Sequence, residues 1–124
     1  MSRARQAAVA VAALRIAYGA ALAVAPARTT RSWLGSDASR PATGVALRAL
    51  GAREIVLHGG AVAAALSGAP VRPWLVASMG GDCSDVLATF GAGSHLPDGA
   101  AVKTLAVAGG SAALSAAVVA ALDA

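Results

Sequence analysis

Apolar residues along the chain fall into four long segments, separated by short stretches that are rich in proline and glycine. The segments cover residues 6–25, 43–67, 73–92 and 101–122. Each is close to the ~20 residues that a helix needs to cross about 30 Å of hydrocarbon. Because lipid cannot satisfy backbone polar groups, we expect each segment to be helical, and the prolines and glycines lie mostly where helices end.

The longest connection, residues 27–42, follows the first apolar segment. It contains Arg28 and Trp33, residue types that are common where a membrane meets water. A short amphipathic helix lying on the headgroups is therefore predicted over residues 28–34. The pattern as a whole predicts an all-α protein with a single integral membrane domain over residues 1–124. Its architecture would be a four-span transmembrane helix bundle with a short interfacial helix after the first span.

Composition supports a membrane protein over a soluble one. Hydrophobic residues make up 57% of the chain and charged residues 13%, about half the charged share of a typical soluble domain. The stretch from Thr104 to Leu122 has no charged residue on any face. A helix of a soluble bundle would need polar or charged residues on its outer surface. We therefore expect a multi-pass protein of the cell membrane, with the lipid bilayer as its surroundings.

The balance of charge and the single cysteine exclude several classes of function. The formal net charge is +4, but the basic residues form neither a run nor one face, so a nucleic-acid partner is not expected. Anionic lipid headgroups fit their positions at segment ends better. Cys83 has no partner for a disulfide, and His58 and His95 are far apart in sequence, so neither a metal site nor a cofactor is predicted.

The first residues have some features of a signal peptide, with basic Arg3 and Arg5 before an apolar stretch. Arg15 interrupts that stretch, and Pro26 would directly follow the cleavage site. The first segment is therefore predicted to be a retained helix.

Charged residues lie inside the predicted spans, where each costs several kcal/mol on insertion scales and commonly marks a functional site. Arg15 is near the middle of the first segment, and Arg53 and Glu54 are in the second. Asp82 and Asp85 are in the third, with Asp82 close to its centre. Function should therefore be sought among these residues.

Helical spacing places the polar residues of each segment on one face. Since lipid cannot solvate these faces, all four should point inward and form a polar centre in the bundle. The four faces comprise Arg15, Tyr18, Gly19 and Leu22 in the first segment, Gly51, Glu54, His58 and Ala61 in the second, Ser78, Asp82, Asp85 and Thr89 in the third, and Thr104, Ala108, Ser111 and Ser115 in the fourth.

Carboxylates on adjacent helical turns are expected to divide into one ionised and one protonated group, which supplies a general base and a general acid in one site. Asp82, Asp85 and Glu54 are the candidate catalytic residues, with Arg15 holding a carboxylate ionised. Tyr18, His58 and Arg53 are candidate substrate-binding residues. The competing interpretation is that these groups only hold helices together, each contributing about 1 kcal/mol or less.

Several spaced residues and short runs form a pattern along the chain: Arg15, Gly19, Pro26, Trp33-Leu34-Gly35, the run from Arg48 to Glu54, Trp74 and Asp82-Cys83-Ser84-Asp85. In this pattern the chain resembles a family of small, uncharacterised four-helix integral membrane proteins. In that family an Arg-x-x-Gly-x-Arg-Asp run on the second helix precedes an Asp-x-x-Asp on the third, and here Glu54 stands where the run usually has Asp. The resemblance implies the fold and the membrane location but no established activity.

The expected function is acid–base chemistry on a lipophilic small molecule that enters from the bilayer, such as isomerisation, cyclisation or epoxide opening. Two alternatives remain open: a proton-coupled carrier of a small solute, and a non-catalytic membrane partner of a larger complex. Small residues four apart, such as Gly109, Ala113 and Ala117, allow close packing of helices. They fit packing within the bundle or a homodimer.

Overall fold

The computed structural model describes all residues from 1 to 124 and contains helices and no strands. Short 3₁₀ turns follow the second and fourth helices, and one π-helical turn lies within the last helix. The helices are α1 (Arg3–Val24), α2 (Pro26–Leu34), α3 (Pro41–Ser67), α4 (Arg72–Ala92) and α5 (Ala100–Asp123), and the π turn covers Leu105–Gly109.

Local sequence accounts for where the helices begin and end. The Ser2 hydroxyl accepts a hydrogen bond from the Arg5 amide at 3.1 Å and so caps α1. The helices α2, α3 and α4 each have a proline in the first turn, where the missing amide hydrogen costs nothing. Helix α3 ends at Gly68, whose φ of 78° is the left-handed conformation typical of a glycine C-cap.

Four long helices form an antiparallel bundle in which each packs against two neighbours. Helix α1 lies between α3 and α5, and α4 lies between the same two helices on the other side. The Arg5 guanidinium donates to the carbonyl of Ala69, 2.6 Å away, so the start of α1 meets the end of α3. Arg72 and Asp123 pair at 2.7 Å, which joins the start of α4 to the end of α5.

Helix α2 lies across one end of this bundle, which we call the α2 end. The predicted amphipathic helix over residues 28–34 is therefore present as part of α2. The indole N–H of Trp33 donates to Thr104 Oγ1 at 3.0 Å, and the Lys103 ammonium donates to the Ser32 carbonyl. These contacts fasten α2 to the first turn of α5.

The α1–α3 interface is the most extensively packed one, and two glycines make it close. A Cβ added at Gly51 would lie 2.5 Å from the Gly19 carbonyl oxygen, and a Cβ at Gly19 would lie 2.6 Å from the Gly51 carbonyl oxygen. The two backbones therefore touch at this crossing. Towards the opposite end of the bundle, alanines and a few larger residues form an apolar core that includes Ala8, Ala12, Ala61, Leu75 and Val118.

Changing Gly51 to alanine is expected to destabilise the bundle by about 1–3 kcal/mol, because the atom that obstructs the new Cβ belongs to backbone that cannot rotate away. The measurement is the unfolding midpoint of purified protein in detergent. Gly59→Ala on the same helix is the control, because its Cβ would enter open space. Equal midpoints for the two variants would show that the crossing is not tight.

Three helices are long and apolar enough to cross a membrane: α1, α3 and α5. Only 22%, 33% and 17% of the residues in their apolar windows are buried inside the protein, so most of their apolar residues face outward, as in a membrane protein. Helix α4 does not meet the same criterion, so the structure supports three candidate spans and does not confirm the four predicted from the sequence. Asp82 and Asp85, together with serines and glycines, lower the hydropathy of α4.

Candidate functional site

Arg15 of α1 joins two carboxylates from two other helices near the middle of the bundle. Its Nε and Nη2 donate to the two oxygens of Glu54 at 2.6 and 2.9 Å. Its Nη2 and Nη1 donate to the two oxygens of Asp82 at 2.7 and 3.1 Å. Both carboxylate side chains are 3% exposed. Two-pronged contacts of this kind fix the plane of the guanidinium and are among the strongest hydrogen bonds in proteins.

A second pair lies beside the first. The Arg53 guanidinium donates to both oxygens of Asp85 at 2.7 and 3.2 Å. Gly81 of α4 leaves room for this contact, because a Cβ there would lie 3.3 Å from Arg53 Cζ. Arg53 Nη2 is also 3.8 Å from Glu54 Oε1, which links the two pairs. About a third of each side chain in the Arg53–Asp85 pair is exposed, so it is the more accessible of the two.

His58 lies one turn further along α3 and is fully buried. Its Nδ1 is 2.8 Å from the Glu54 carbonyl oxygen, and its Nε2 is 2.9 Å from the Ser78 hydroxyl of α4. Both ring nitrogens therefore have partners within the protein. His58 supports Glu54 from behind and connects α3 to α4.

A cavity of about 550 Å³ lies above this cluster, between it and the α2 end. Its volume is in the range of ordinary small-molecule sites. Its floor includes Arg15, Glu54, Asp82 and Asp85, and Trp33 covers it from α2. The remaining lining is mostly aliphatic and small hydroxyl side chains, which include Leu50, Ala88, Thr89, Val107, Ala108 and Ser111.

The rim of the cavity is apolar between α1 and α5. Leu14 and Val107 line the cavity and are 72% and 59% exposed. Helix α5 packs on α1 through its second half, Gly110–Asp123, whereas the cavity lies beside its first half and its π turn. The cavity therefore opens towards the apolar outer surface that a membrane would cover.

The inward orientation predicted for the four polar faces is confirmed. Glu54, Asp82 and Ser115 are buried, and Arg15 is largely buried. The predicted proximity of Arg15 to the carboxylates is also present. The catalytic roles assigned to Arg15, Glu54, Asp82 and Asp85 stay predictions.

The three candidate substrate-binding residues differ in position. Tyr18 lines the cavity. Arg53 and His58 do not: Arg53 is held against Asp85, and His58 lies behind Glu54. Neither therefore contacts the cavity directly.

Sequence reasoning missed the part of the cavity wall that α2 and the start of α5 provide. Trp33 was interpreted as an interfacial anchor, but it also closes the cavity through its hydrogen bond to Thr104. Trp74, towards the opposite end of the bundle, packs its ring on Gly60 of α3 and is 37% exposed. The sequence did place Thr104 on the inward polar face of the fourth segment, and a buried hydroxyl there needs a hydrogen-bonding partner such as Trp33.

No group of three or more His, Cys, Asp or Glu side chains is arranged to hold a metal ion. Each carboxylate in the cluster faces a guanidinium instead. Both oxygens of Glu54, Asp82 and Asp85 accept hydrogen bonds from arginine.

The fold and the site together define a helical bundle of membrane-protein type with a charged floor beneath an apolar cavity. Comparison with protein-family models, with curated proteins and with solved structures gives no match for this chain.

Proposed function

We propose that the protein is a membrane enzyme that performs acid–base chemistry on a lipophilic small molecule bound in the cavity. The observation that carries this proposal is the placement of three carboxylates and a guanidinium on the floor of a cavity with mostly apolar walls. The walls suit an apolar substrate body, and the floor suits a single polar group on it. Isomerisation and cyclisation need a proton donor, a proton acceptor and a site shielded from bulk water, and epoxide opening needs one bound water molecule in addition.

The net charge of the cluster favours the uptake of one proton, which the proposed chemistry would use. Two guanidiniums and three carboxylates give the cluster one excess negative charge, although every carboxylate contacts a guanidinium. An uncompensated charge in an apolar interior is costly, and one proton taken up by the cluster would make it neutral. Asp82 and Asp85 lie one turn apart on α4 and both line the cavity, so they are the proposed pair that exchanges this proton with the substrate.

The arginines have a positioning role in this proposal. Arg15 holds Glu54 and Asp82 in fixed orientations through four hydrogen bonds. Arg53 does the same for Asp85, which is the carboxylate with the greatest exposure. Tyr18, on the cavity wall, would donate a hydrogen bond to a substrate oxygen.

The proposal includes a bilayer crossed by all four long helices. Helix α4 packs between α3 and α5 and is antiparallel to both. Its two aspartates face arginines of α1 and α3 rather than the outer surface. These aspartates lower the hydropathy of α4, but in this arrangement lipid would not have to solvate them. Four spans place both termini on the same side of the membrane, and the apolar rim of the cavity then opens to the acyl chains.

The geometry favours the enzyme over the carrier. A carrier needs a polar path that reaches both aqueous sides, whereas the polar line here ends at His58 and Ser78. Beyond them the apolar core of Ala8, Ala61 and Leu75 fills the bundle. A purely structural subunit has no need of a cavity of this size beside its ion pairs.

The test compares lipid-soluble extracts of cells that make the wild-type protein with extracts of cells that lack it, using untargeted mass spectrometry. Isomerisation and cyclisation leave the elemental composition unchanged, and epoxide opening by water adds one water molecule. We therefore expect one lipophilic compound to decrease while an isomer or a hydrate of it increases. Identical extracts would contradict the proposed function.

Two tryptophan variants test whether the reaction takes place in the cavity. Ala88→Trp fills the cavity and leaves every charged residue in place, whereas Ala77→Trp puts the same side chain on an exposed part of the same helix away from the cavity. Product should be lost with Ala88→Trp and retained with Ala77→Trp. Equal product from the two variants would show that the reaction takes place elsewhere.

A further inference from the structure

A second concavity of about 410 Å³ lies at the α2 end, on the outer side of the junction between α1, α2 and α3. Four arginines line it: Arg28, Arg31, Arg40 and Arg48. All four are exposed. No acidic residue is among the lining residues, so all the charged side chains that line the concavity are positive. We call it the arginine concavity.

Most of this positive charge has no counter-charge in the protein. Arg40 is paired with Asp37 at 3.0 Å, in a contact whose side chains are 75% and 42% exposed. Such exposed pairs contribute little. Arg28, Arg31 and Arg48 take part in no ion pair. Like charges gathered in one concavity repel one another, and an anion bound among them would relieve that repulsion.

The start of helix α2 adds backbone donors to the same concavity, where helix α3 also begins. Helix α3 begins at Pro41 and helix α2 at Pro26, and both residues line it. Helix α2 has no side-chain cap, and Ala27 and Arg28 of its first turn also line the concavity, so their amide hydrogens can bind an anion. Arg48 lies over the start of α3, with its Nη1 3.3 Å from the position of a Cβ at Gly44. Phosphate oxygens suit such a set of guanidiniums and amides.

The position of the concavity indicates where the phosphate comes from. It lies where α1 ends and α3 begins, and both helices are long and apolar enough to span a membrane. That is the depth at which lipid headgroups lie. Val24 and Val45, next to lining residues, are 82% and 70% exposed. A lipid whose headgroup occupies the concavity would lay its acyl chains along such apolar side chains.

We propose that the arginine concavity binds the phosphate headgroup of an anionic phospholipid. Basic pockets beside transmembrane helices are a known type of site for such headgroups. This binding does not depend on the proposed enzymatic function, since no arginine of the concavity lines the catalytic cavity.

The test is native mass spectrometry of the full-length protein in detergent, titrated with phosphatidylglycerol and, separately, with phosphatidylcholine. Both lipids have an anionic phosphodiester. Phosphatidylcholine also carries a cationic choline and is neutral overall, whereas phosphatidylglycerol has a net negative charge. We expect tighter binding of phosphatidylglycerol and a loss of about 30-fold in its affinity in the double variant Arg28→Gln/Arg48→Gln, because two charges near the membrane surface are removed. Arg31→Gln alone should reduce the affinity by a smaller factor.

The matched control is Arg3→Gln/Arg72→Gln, which removes two arginines from the opposite end of the bundle. It should leave phosphatidylglycerol binding unchanged. Equal affinity for the two lipids, or equal losses in the two double variants, would overturn the proposal. Displacement of phosphatidylglycerol by inorganic phosphate at similar concentration would also overturn it, because the site would then recognise free phosphate rather than a lipid.

Discussion

Replacing Arg15 with glutamine is expected to lower the free energy of unfolding by about 3–5 kcal/mol, which is the usual cost of leaving buried charges without their partner. The change removes all four hydrogen bonds to Glu54 and Asp82. Both carboxylate side chains are only 3% exposed, so solvent compensates little for the loss of the guanidinium. The measurement is chemical or thermal unfolding of the purified protein in detergent.

Arg72→Gln is the control for this variant. Arg72 also pairs with an aspartate at 2.7 Å, but the side chains of that pair are 60% and 47% exposed, so its loss should cost about 1 kcal/mol or less. A triple variant that combines Arg15→Gln with Glu54→Gln and Asp82→Asn should regain much of the lost stability, because no buried charge is then left alone. If Arg15→Gln and Arg72→Gln unfold alike, the cluster does not stabilise the bundle.

Replacing Asp82 with asparagine is expected to lower the rate of product formation by about 10²-fold or more, while the protein stays folded and in the membrane. The substitution keeps the volume of the side chain and some of its hydrogen bonds to Arg15. It also leaves two guanidiniums and two carboxylates, so no net charge is added to the interior. The measurement is the rate of formation of the product identified by extract comparison, taken together with the unfolding midpoint.

Asp123→Asn makes the same chemical change in an exposed ion pair and should leave product formation unaltered. The enzyme proposal is wrong if Asp82→Asn, Asp85→Asn and Glu54→Gln all retain product formation. A loss of product that merely follows a loss of stability across these variants would mean that the carboxylates have a structural role.

The two outcomes for Asp82 and Arg15 distinguish a reacting group from a positioning group. Arg15 stays charged at any accessible pH and makes its contacts whether or not a substrate is bound, so its loss should reduce stability and product together. Asp82 is one of three carboxylates around the same floor, so its loss should reduce product while most of the stability remains.

The sequence by itself determined the helices and the face that each presents to the interior. Both follow from local rules, because the period of 3.6 residues places Ser78, Asp82 and Asp85 on one side of a helix wherever that helix lies. The prolines at helix starts and the glycine after Ser67 set the boundaries in the same local way. The proximity of Arg15 to the carboxylates followed from inward faces on neighbouring helices.

The number of membrane spans does not follow from the sequence in the same way, because mean hydropathy averages over all faces of a helix. The aspartates of α4 count against it as a span whether they face lipid or an arginine. Only the tertiary structure places Asp82 against Arg15 and Asp85 against Arg53. A helix of this kind is therefore underestimated by composition.

The tertiary structure alone decided which groups pair and where the cavity lies. Pairing depends on the relative register of two helices, which is fixed by a contact between residues far apart in sequence, the backbone crossing of Gly19 and Gly51. The cavity exists because α5 packs on α1 through only its second half and α2 closes the remaining gap through Trp33. Faces are local properties of a helix, whereas registers and gaps depend on how whole helices pack, so the former could be predicted from the sequence and the latter could not.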